Sequence, residues 1–291
     1  MNETLRVISW NIQWGRGADG RVDLARTVDA LHALGGAQGA ALICLQEVAC
    51  CFPGLPGGAE EDEVALLRAA FPGYQAVFGA GVDVPGSAGG RARFGNLLLS
   101  RLPLGQVYRH LLPAPADGGL PSMQRVCVEA VVEAPWGPLR VLTTHLEYYS
   151  ARQRMAQVQA LCALQESVVD SARVAAAPRV KEGNASFAPW PRPPAALLCG
   201  DFNCEPGSAE HAALRAGPHW HDAWVACHGD LPHAPTVGLH GAEWPQRAYC
   251  CDYFCVTGEL LPRLADVAVD GGTAASDHQP VTLDLFSAPG G

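Results

Sequence analysis

Asn11, Glu47, His145, Asp201, Asn203, Asp252, Asp277 and His278 all stand beside short apolar runs. Asn11 follows VISW, Glu47 follows LICLQ, His145 follows VLTT, and Asp201 and Asn203 follow ALLCG. Asp252 opens DYFCV, and Asp277 and His278 precede the last run. Strand ends are where a rigid scaffold can present side chains to a cleft. Glu47, Asp201 and Asp277 offer hard oxygen donors without thiolates, a set suited to Mg²⁺ or Mn²⁺. Magnesium keeps several waters, so one or two carboxylates plus substrate oxygens suffice. Taken singly, Glu47 or Asp252 reads as a strand-end cap or a surface carboxylate, and His145 or His278 as a hydrogen-bonded structural histidine. Six such events in one order are hard to explain that way.

The elements that must carry these residues follow from periodicity. Apolar runs predict strands at 5–10, 41–46, 74–78, 96–100, 125–133, 139–144, 196–200, 252–257 and 281–286. Val28, Leu31 and Leu34 share one side of a helix predicted over 22–34. A helix over 60–71 is acidic in its first turn, as the helix dipole prefers. Ser150 and Gln153 resemble a capping box opening a helix that runs to Val169, and 208–216 is a short helix. The glycine-rich stretch 79–95 reads as a loop, 175–194 as a surface insertion, and 219–248 as a long irregular segment. No repeat or linker divides the chain, and polar motifs lie at both ends. The expectation is one α/β (α+β) domain over 1–291, with its core at about 5–286 and two sheets packed face to face with helices outside.

Composition narrows the classes. A hydrophobic fraction of 48% with 17% charged residues excludes a disordered chain. No apolar run approaches the roughly 18 residues of a membrane span. The net charge of −9 and the single lysine, Lys181, disfavour a protein that grips long duplexes through their backbone. Phosphate contacts fall to arginine, which favours two-pronged recognition. The 11 cysteines include no CxxC pair, and the MNETLRVISWN start carries no export leader. Both point to reduced thiols and a cytoplasmic protein.

The motifs together resemble the endonuclease/exonuclease/phosphatase superfamily, the pancreatic-deoxyribonuclease-like fold. The matching pieces are SWN at 9–11, LQEV at 45–48, GNLLLSRLPL at 95–104, TTHLE at 143–147, GDFN at 200–203, DYF at 252–254 and SDHQPV at 276–281. The resemblance implies a four-layer sandwich of two mixed β-sheets flanked by helices, with the site at one edge of both sheets. It implies hydrolysis of phosphate esters with a divalent metal, usually magnesium. Glu47 would be the main metal ligand, with Asn11 and Asp277 beside it. Asp201 would orient or deprotonate the attacking water, and Asn203 would hydrogen-bond a phosphate oxygen. Asp252 would fix one ring nitrogen of His278, leaving the other to face the phosphate. His145 would be a second phosphate contact or a general acid. Arg125 matches a phosphate-binding arginine of some members, and Asn96 a position lining the site.

Substrates in such a family range from DNA ends and nucleotides to small-molecule and lipid phosphoesters, and the catalytic residues do not discriminate among them. Hydrolysis of DNA or nucleotide phosphodiesters ranks first by analogy alone. A non-catalytic binding protein is the competing class, and nothing calls for an obligate protein partner. His219, His221, His228, His233, His240 and Cys227 raise a zinc alternative without helical HxxxH spacing. Trp220, Trp224 and Trp244 read as packing residues or a stacking surface. Tyr148 and Tyr149 read as pocket wall or helix-start packing, and Arg152 and Arg154 as partners in surface salt bridges.

Overall fold

The computed structural model describes residues 4–87, 89–174, 184–242 and 247–288. Along the chain run β1 (Thr4–Asn11), α1 (Leu24–Gly35), β2 (Leu42–Cys50), α2 (Glu63–Ala70), β3 (Gln75–Pro85), β4 (Arg91–Ser100), β5 (Leu104–Leu111), β6 (Val126–Ala134) and β7 (Gly137–His145). There follow α3 (Ala151–Val174), β8 (Ala196–Asp201), α4 (Ala209–Ala216), β9 (His221–Asp222), α5 (Ala223–His228), β10 (Asp252–Val256), β11 (Leu264–Val269) and β12 (Val281–Phe286). One six-stranded sheet has the order β11-β12-β1-β2-β4-β3, and the other β5-β6-β7-β8-β10-β9.

Pleating explains why the central strands read as continuous apolar runs. Successive side chains point to opposite faces, and both faces here are covered. Leu42 and Cys44 enter the core between the sheets, with Val128, Val141, Leu197 and Phe254. Their neighbours Ile43 and Leu45 face outward and pack with Leu31 of α1 and Leu67 of α2. On the other side Leu142 and Leu198 meet Val158 and Leu161 of α3 and Leu214 of α4. The result is the expected four-layer α/β sandwich.

Each sheet holds one parallel pair, and these pairs place the chemistry. β1 lies parallel to β2 with Asn11 beside Gln46. β7 lies parallel to β8 with His145 beside Asp201. β10 runs antiparallel to β8 and sets Asp252 opposite Asp201. β12 runs antiparallel to β1 and sets Val281 opposite Ser9. The strand-end motifs from both halves of the sequence therefore meet at one edge. Buried Gln46 ties the sheets together there, its Nε2 donating to Thr143 Oγ1 of β7 at 2.9 Å.

Several boundaries differ from expectation. The stretch 79–95 is not a loop: most of it belongs to the β3–β4 hairpin. Gly86, Gly89 and Gly90 make its turn, but Gly79 and Gly95 serve close approach. A Cβ on Gly79 would lie 2.4 Å from Val128 Cγ2, and one on Gly95 2.0 Å from the Gly79 carbonyl oxygen. β5 and β11 were unmarked because both are edge strands, each paired on one side only. The segment 219–248 is not wholly irregular, since it contains β9 and α5. α1 and α2 begin at the caps Asp23 and Asp62, each accepting a backbone N–H three residues on. α3 extends to Val174; Ser150 Oγ caps it through the Gln153 N–H, but the Gln153 side chain turns to Ser122 and the Pro115 carbonyl. Of the segment 175–194, residues 175–183 lie outside the described residues, as does Trp244.

Gly95→Ala tests the close-packed hairpin. The new methyl meets backbone that cannot swing away, so the midpoint of thermal unfolding should fall by more than about 5 °C. An unchanged melting curve would show that this sheet edge is looser than described.

Candidate active site

Asp201 is the point on which the edge converges. Gly200 before it has φ +138 and its Cα faces the Thr144 carbonyl so closely that a Cβ would lie 1.9 Å from that oxygen. Only glycine lets β8 approach β7 this way. The Asp201 carboxylate is 1% exposed. Its Oδ1 accepts the Asn203 N–H at 2.8 Å. Its Oδ2 accepts from Asn11 Nδ2 at 3.1 Å and lies 3.4 Å from His145 Nε2 and 3.6 Å from His278 Nε2.

Glu47 reaches the same place through an irregularity of β2. The β2–β4 register shifts between Leu45 and Val48, and Glu47 has φ +57. A bulge with a left-handed non-glycine residue redirects a side chain, and such strain gathers at functional sites. Glu63, buried at the start of α2, accepts the Ala49 N–H at 2.8 Å and supports the strand just beyond the bulge. Asn11 Nδ2 also donates to Glu47 Oε1 at 3.0 Å, so one amide bridges the two carboxylates. Asp277 stands nearby and accepts from Gln13 Nε2 at 2.9 Å. Burial, then the Asp277 charge, raises the Glu47 pKa to about 7, and burial also raises that of Asp277. Two carboxyls that resist ionising together are a fitting seat for a hard cation. Cys251 lies close to Asp252, yet burial and then the Asp252 charge push its thiol far up, so oxygen donors remain the natural ligands.

The histidines divide. His278 Nδ1 donates to Asp252 Oδ2 at 2.9 Å, which fixes the ring and turns Nε2 toward Asp201. Burial lowers its pKa, but the carboxylates of Asp252, Asp201 and Asp277 outweigh burial and raise it well above the usual range. Burial, then the charge of Arg125, holds His145 down near a pKa of about 3, so its ring is neutral. The Arg125 guanidinium is 6% exposed; Nε donates to Glu147 Oε2 at 3.3 Å and Nη1 has no hydrogen-bond partner. Asn203 Nδ2 donates to the Leu146 carbonyl, and Asn96 Nδ2 to the Val126 carbonyl. Asn96 lines a narrow cleft with Glu47, Arg125 and His145. Glu47, Arg125, His145, Asp201, Asn203, Asp277 and His278 line one cavity of about 400 Å³. Asn11 and Asp252 stand behind that wall.

Three supporting residues stand outside the candidate site residues, although Ser276 opens the SDHQPV motif. Gln13 lines the cavity and holds Asp277. Ser276 Oγ donates to the Asn11 carbonyl at 2.7 Å and accepts the His278 N–H, joining the last motif to β1. Thr236, fully buried, accepts the N–H groups of Cys251 and Asp252 on Oγ1 and the Gln279 N–H on its carbonyl. It straps together the segments that carry Asp252 and His278.

The histidines of the 219–248 segment do not converge on one another; among the described residues, His233 alone of them joins a group that could hold an ion, with Asp222 and His211 of α4. His228 and His240 bind the carbonyls of Val267 and Gly271. His233 and His211 both contact Asp222 Oδ2, at 2.8 and 2.9 Å. The Gly207 N–H donates to His211 Nδ1. In neutral His211 that leaves the hydrogen on Nε2, with no lone pair there for a metal. Arg154 does form an ion pair, with Glu210 at 3.1 Å, while Arg152 binds the Ala116 carbonyl.

A profile of the endonuclease/exonuclease/phosphatase family matches residues 8–278. The chain belongs to this family. No curated protein sequence matches it. Its fold is that of solved family members. An endonuclease/exonuclease/phosphatase from Beutenbergia cavernae is similar at 24% identity and a TM-score of 0.67, over 99% of this chain and 72% of that one. The mannosyl-6-phosphatase of Bacteroides thetaiotaomicron is 15% identical at a TM-score of 0.63, over 97% of this chain and 100% of that one. The 3′ phosphatase NExo from Neisseria, solved with a product DNA hairpin, is 19% identical at a TM-score of 0.59, over 97% and 99%. Among the described residues, no helix of this family member is long and apolar enough to cross a membrane.

The raised Glu47 pKa has a sign that can be checked without substrate. A carboxyl whose folded value exceeds its unfolded value of 4.5 makes a contribution to stability that falls as pH rises between the two and levels off above about 7. In chelator, Glu47→Gln should therefore gain thermal stability over the wild type at pH 8 and lose that advantage at pH 5. A difference independent of pH would mean that Glu47 is not held in this carboxylate cluster.

Proposed function

We propose that the protein is a divalent-metal-dependent phosphoester hydrolase acting on nucleotides or DNA ends. One observation supports this most: Glu47, Asp201, Asp277 and His278 share a cavity with a buried arginine that has an unpartnered Nη1. A phosphate ester is the ligand that answers both halves of that wall. The DNA hairpin held by the Neisseria phosphatase favours nucleotides as the substrate class.

Glu47 and Asp277 would hold Mg²⁺ or Mn²⁺, with the Asn11 amide beside them fixing Glu47. The cation supplies charge neutralisation at the phosphate. Arg125 Nη1 and the neutral ring of His145 contribute N–H donors to phosphate oxygens. So does Asn203, which has a second amide hydrogen beyond the one given to Leu146. His145 at a pKa of about 3 suits this role better than that of general acid. Asp201 orients a water and takes its proton as the oxygen bonds to phosphorus and the ester P–O bond breaks, the leaving oxygen taking a proton from solvent. His278, held charged by Asp252, stabilises the negative charge gathering on the phosphate.

A double-mutant cycle tests the pair. His278→Ala should lower kcat by about 10²- to 10⁴-fold, and Asp252→Asn by less. The double variant should match His278→Ala alone, because residues acting as a unit are not additive. Additive kinetic losses, with lowered thermal stability for Asp252→Asn, would make Asp252 a strand cap only.

A further inference from the structure

The cavity has an aromatic rim that the hydrolytic chemistry leaves unused. Trp14 sits in the turn after β1 and so belongs to the first sheet's edge; Tyr148 and Tyr149 follow β7 of the second. All three line the cavity. Tyr149 is 56% exposed and Tyr148 37%, and their rings meet edge to face with centroids 4.7 Å apart. The backbone that carries the two tyrosines is anchored, and the Trp14 ring is hydrogen-bonded. The Tyr149 N–H donates to Glu147 Oε1 at 3.0 Å, and the Tyr148 carbonyl accepts from Arg154 Nη1 at 2.9 Å. Trp14 Nε1 donates to the Pro56 carbonyl at 3.1 Å. Gln13 and Trp14 have φ of 45 and 44, a left-handed pair whose strain the surroundings must sustain. Flat apolar faces at the mouth of a charged cavity suit a planar ring carried by the ligand, because little ordering of the backbone remains to be done on binding.

Size and charge bound the rest of the ligand. A cavity of about 400 Å³ is at the small end of small-molecule sites. Arg125 is the single arginine or lysine among its lining residues, against three carboxylates. A long strand would need further cations along its phosphates. We propose that Trp14, Tyr148 and Tyr149 form a ring subsite, and that the substrate is a phosphoester of nucleoside size. It is either a free nucleotide or the terminal nucleotide of a strand. The inference rests on the phosphoesterase reading above.

The test uses matched substrates in Mg²⁺ or Mn²⁺, with products separated by chromatography. The diester pair is thymidylyl-thymidine against glycerophosphoglycerol, and the monoester pair is thymidine 5′-phosphate against glycerol 3-phosphate. In whichever pair is cleaved, kcat/KM for the ring-bearing member should be at least tenfold higher. Tyr149→Ala should lower that value about tenfold, through KM, and leave the ring-free member unchanged. Tyr149→Phe should keep the wild-type preference, since the ring is retained. Inhibition by a short single-stranded oligonucleotide at lower concentration than by thymidine 5′-phosphate assigns the ring to a strand end; equal inhibition assigns it to a free nucleotide. Equal cleavage of both members of a pair, or an equal effect of Tyr149→Ala on both, overturns the ring subsite alone. Cleavage of neither pair overturns the phosphoesterase reading and the subsite with it.

Discussion

Burying the Asp201 carboxylate at the meeting point of two sheets is the constraint that orders this structure. A buried carboxylate is costly unless its oxygens are matched by donors. Asn11 from β1 and the Asn203 N–H from the turn after β8 donate to it, while His145 of β7 and His278 from the segment before β12 stand 3.4 and 3.6 Å from its Oδ2. Two of these neighbours are themselves fixed, Asn11 by Glu47 and the Gln13 N–H, and His278 by Asp252, which Thr236 holds in turn. The reactive edge is thus one network spread over residues 11–278, and the two parallel strand pairs supply the geometry that closes it.

Electrostatics within that network is uneven in a useful way. Burial keeps His145 neutral while three carboxylates keep His278 charged, although both rings approach the same Asp201 oxygen. Glu47 sits at the border between neutral and ionised because burial, and then the Asp277 charge beside it, disfavours its charged form. A cation at these two carboxylates relieves their repulsion, so the protein lacking metal stores electrostatic cost where metal is expected to bind.

Much of this was legible in the sequence, for a physical reason. Strands buried on both faces must be apolar throughout, so the polar residue that ends each one stands out; Glu47, His145, Asp201 and Asp252 were visible this way. The supporting residues were not. Thr236 works through backbone N–H groups 15 and 16 positions away, and Ser276, visible only as the first residue of SDHQPV, through a carbonyl 265 positions away, contacts that leave no local pattern. The β3–β4 hairpin reads as a loop because Gly79 and Gly95 look like turn residues beside the true turn glycines, when their requirement is space beside Val128 and the Gly79 carbonyl. The histidines of 219–248 read as a possible cluster, whereas the fold pairs His233 with His211 of α4 on Asp222 and sends His228 and His240 to separate carbonyls.

The central claim is that the strand-end carboxylates form a divalent-cation site. Anomalous diffraction from crystals grown with Mn²⁺ addresses it most directly, because the signal locates the ion without reference to turnover. The account predicts a manganese peak bonded to Glu47 and Asp277 oxygens, lost in Glu47→Gln crystals. A peak at His211, Asp222 and His233 instead, or none at Glu47 with Mn²⁺ in millimolar excess, would contradict it.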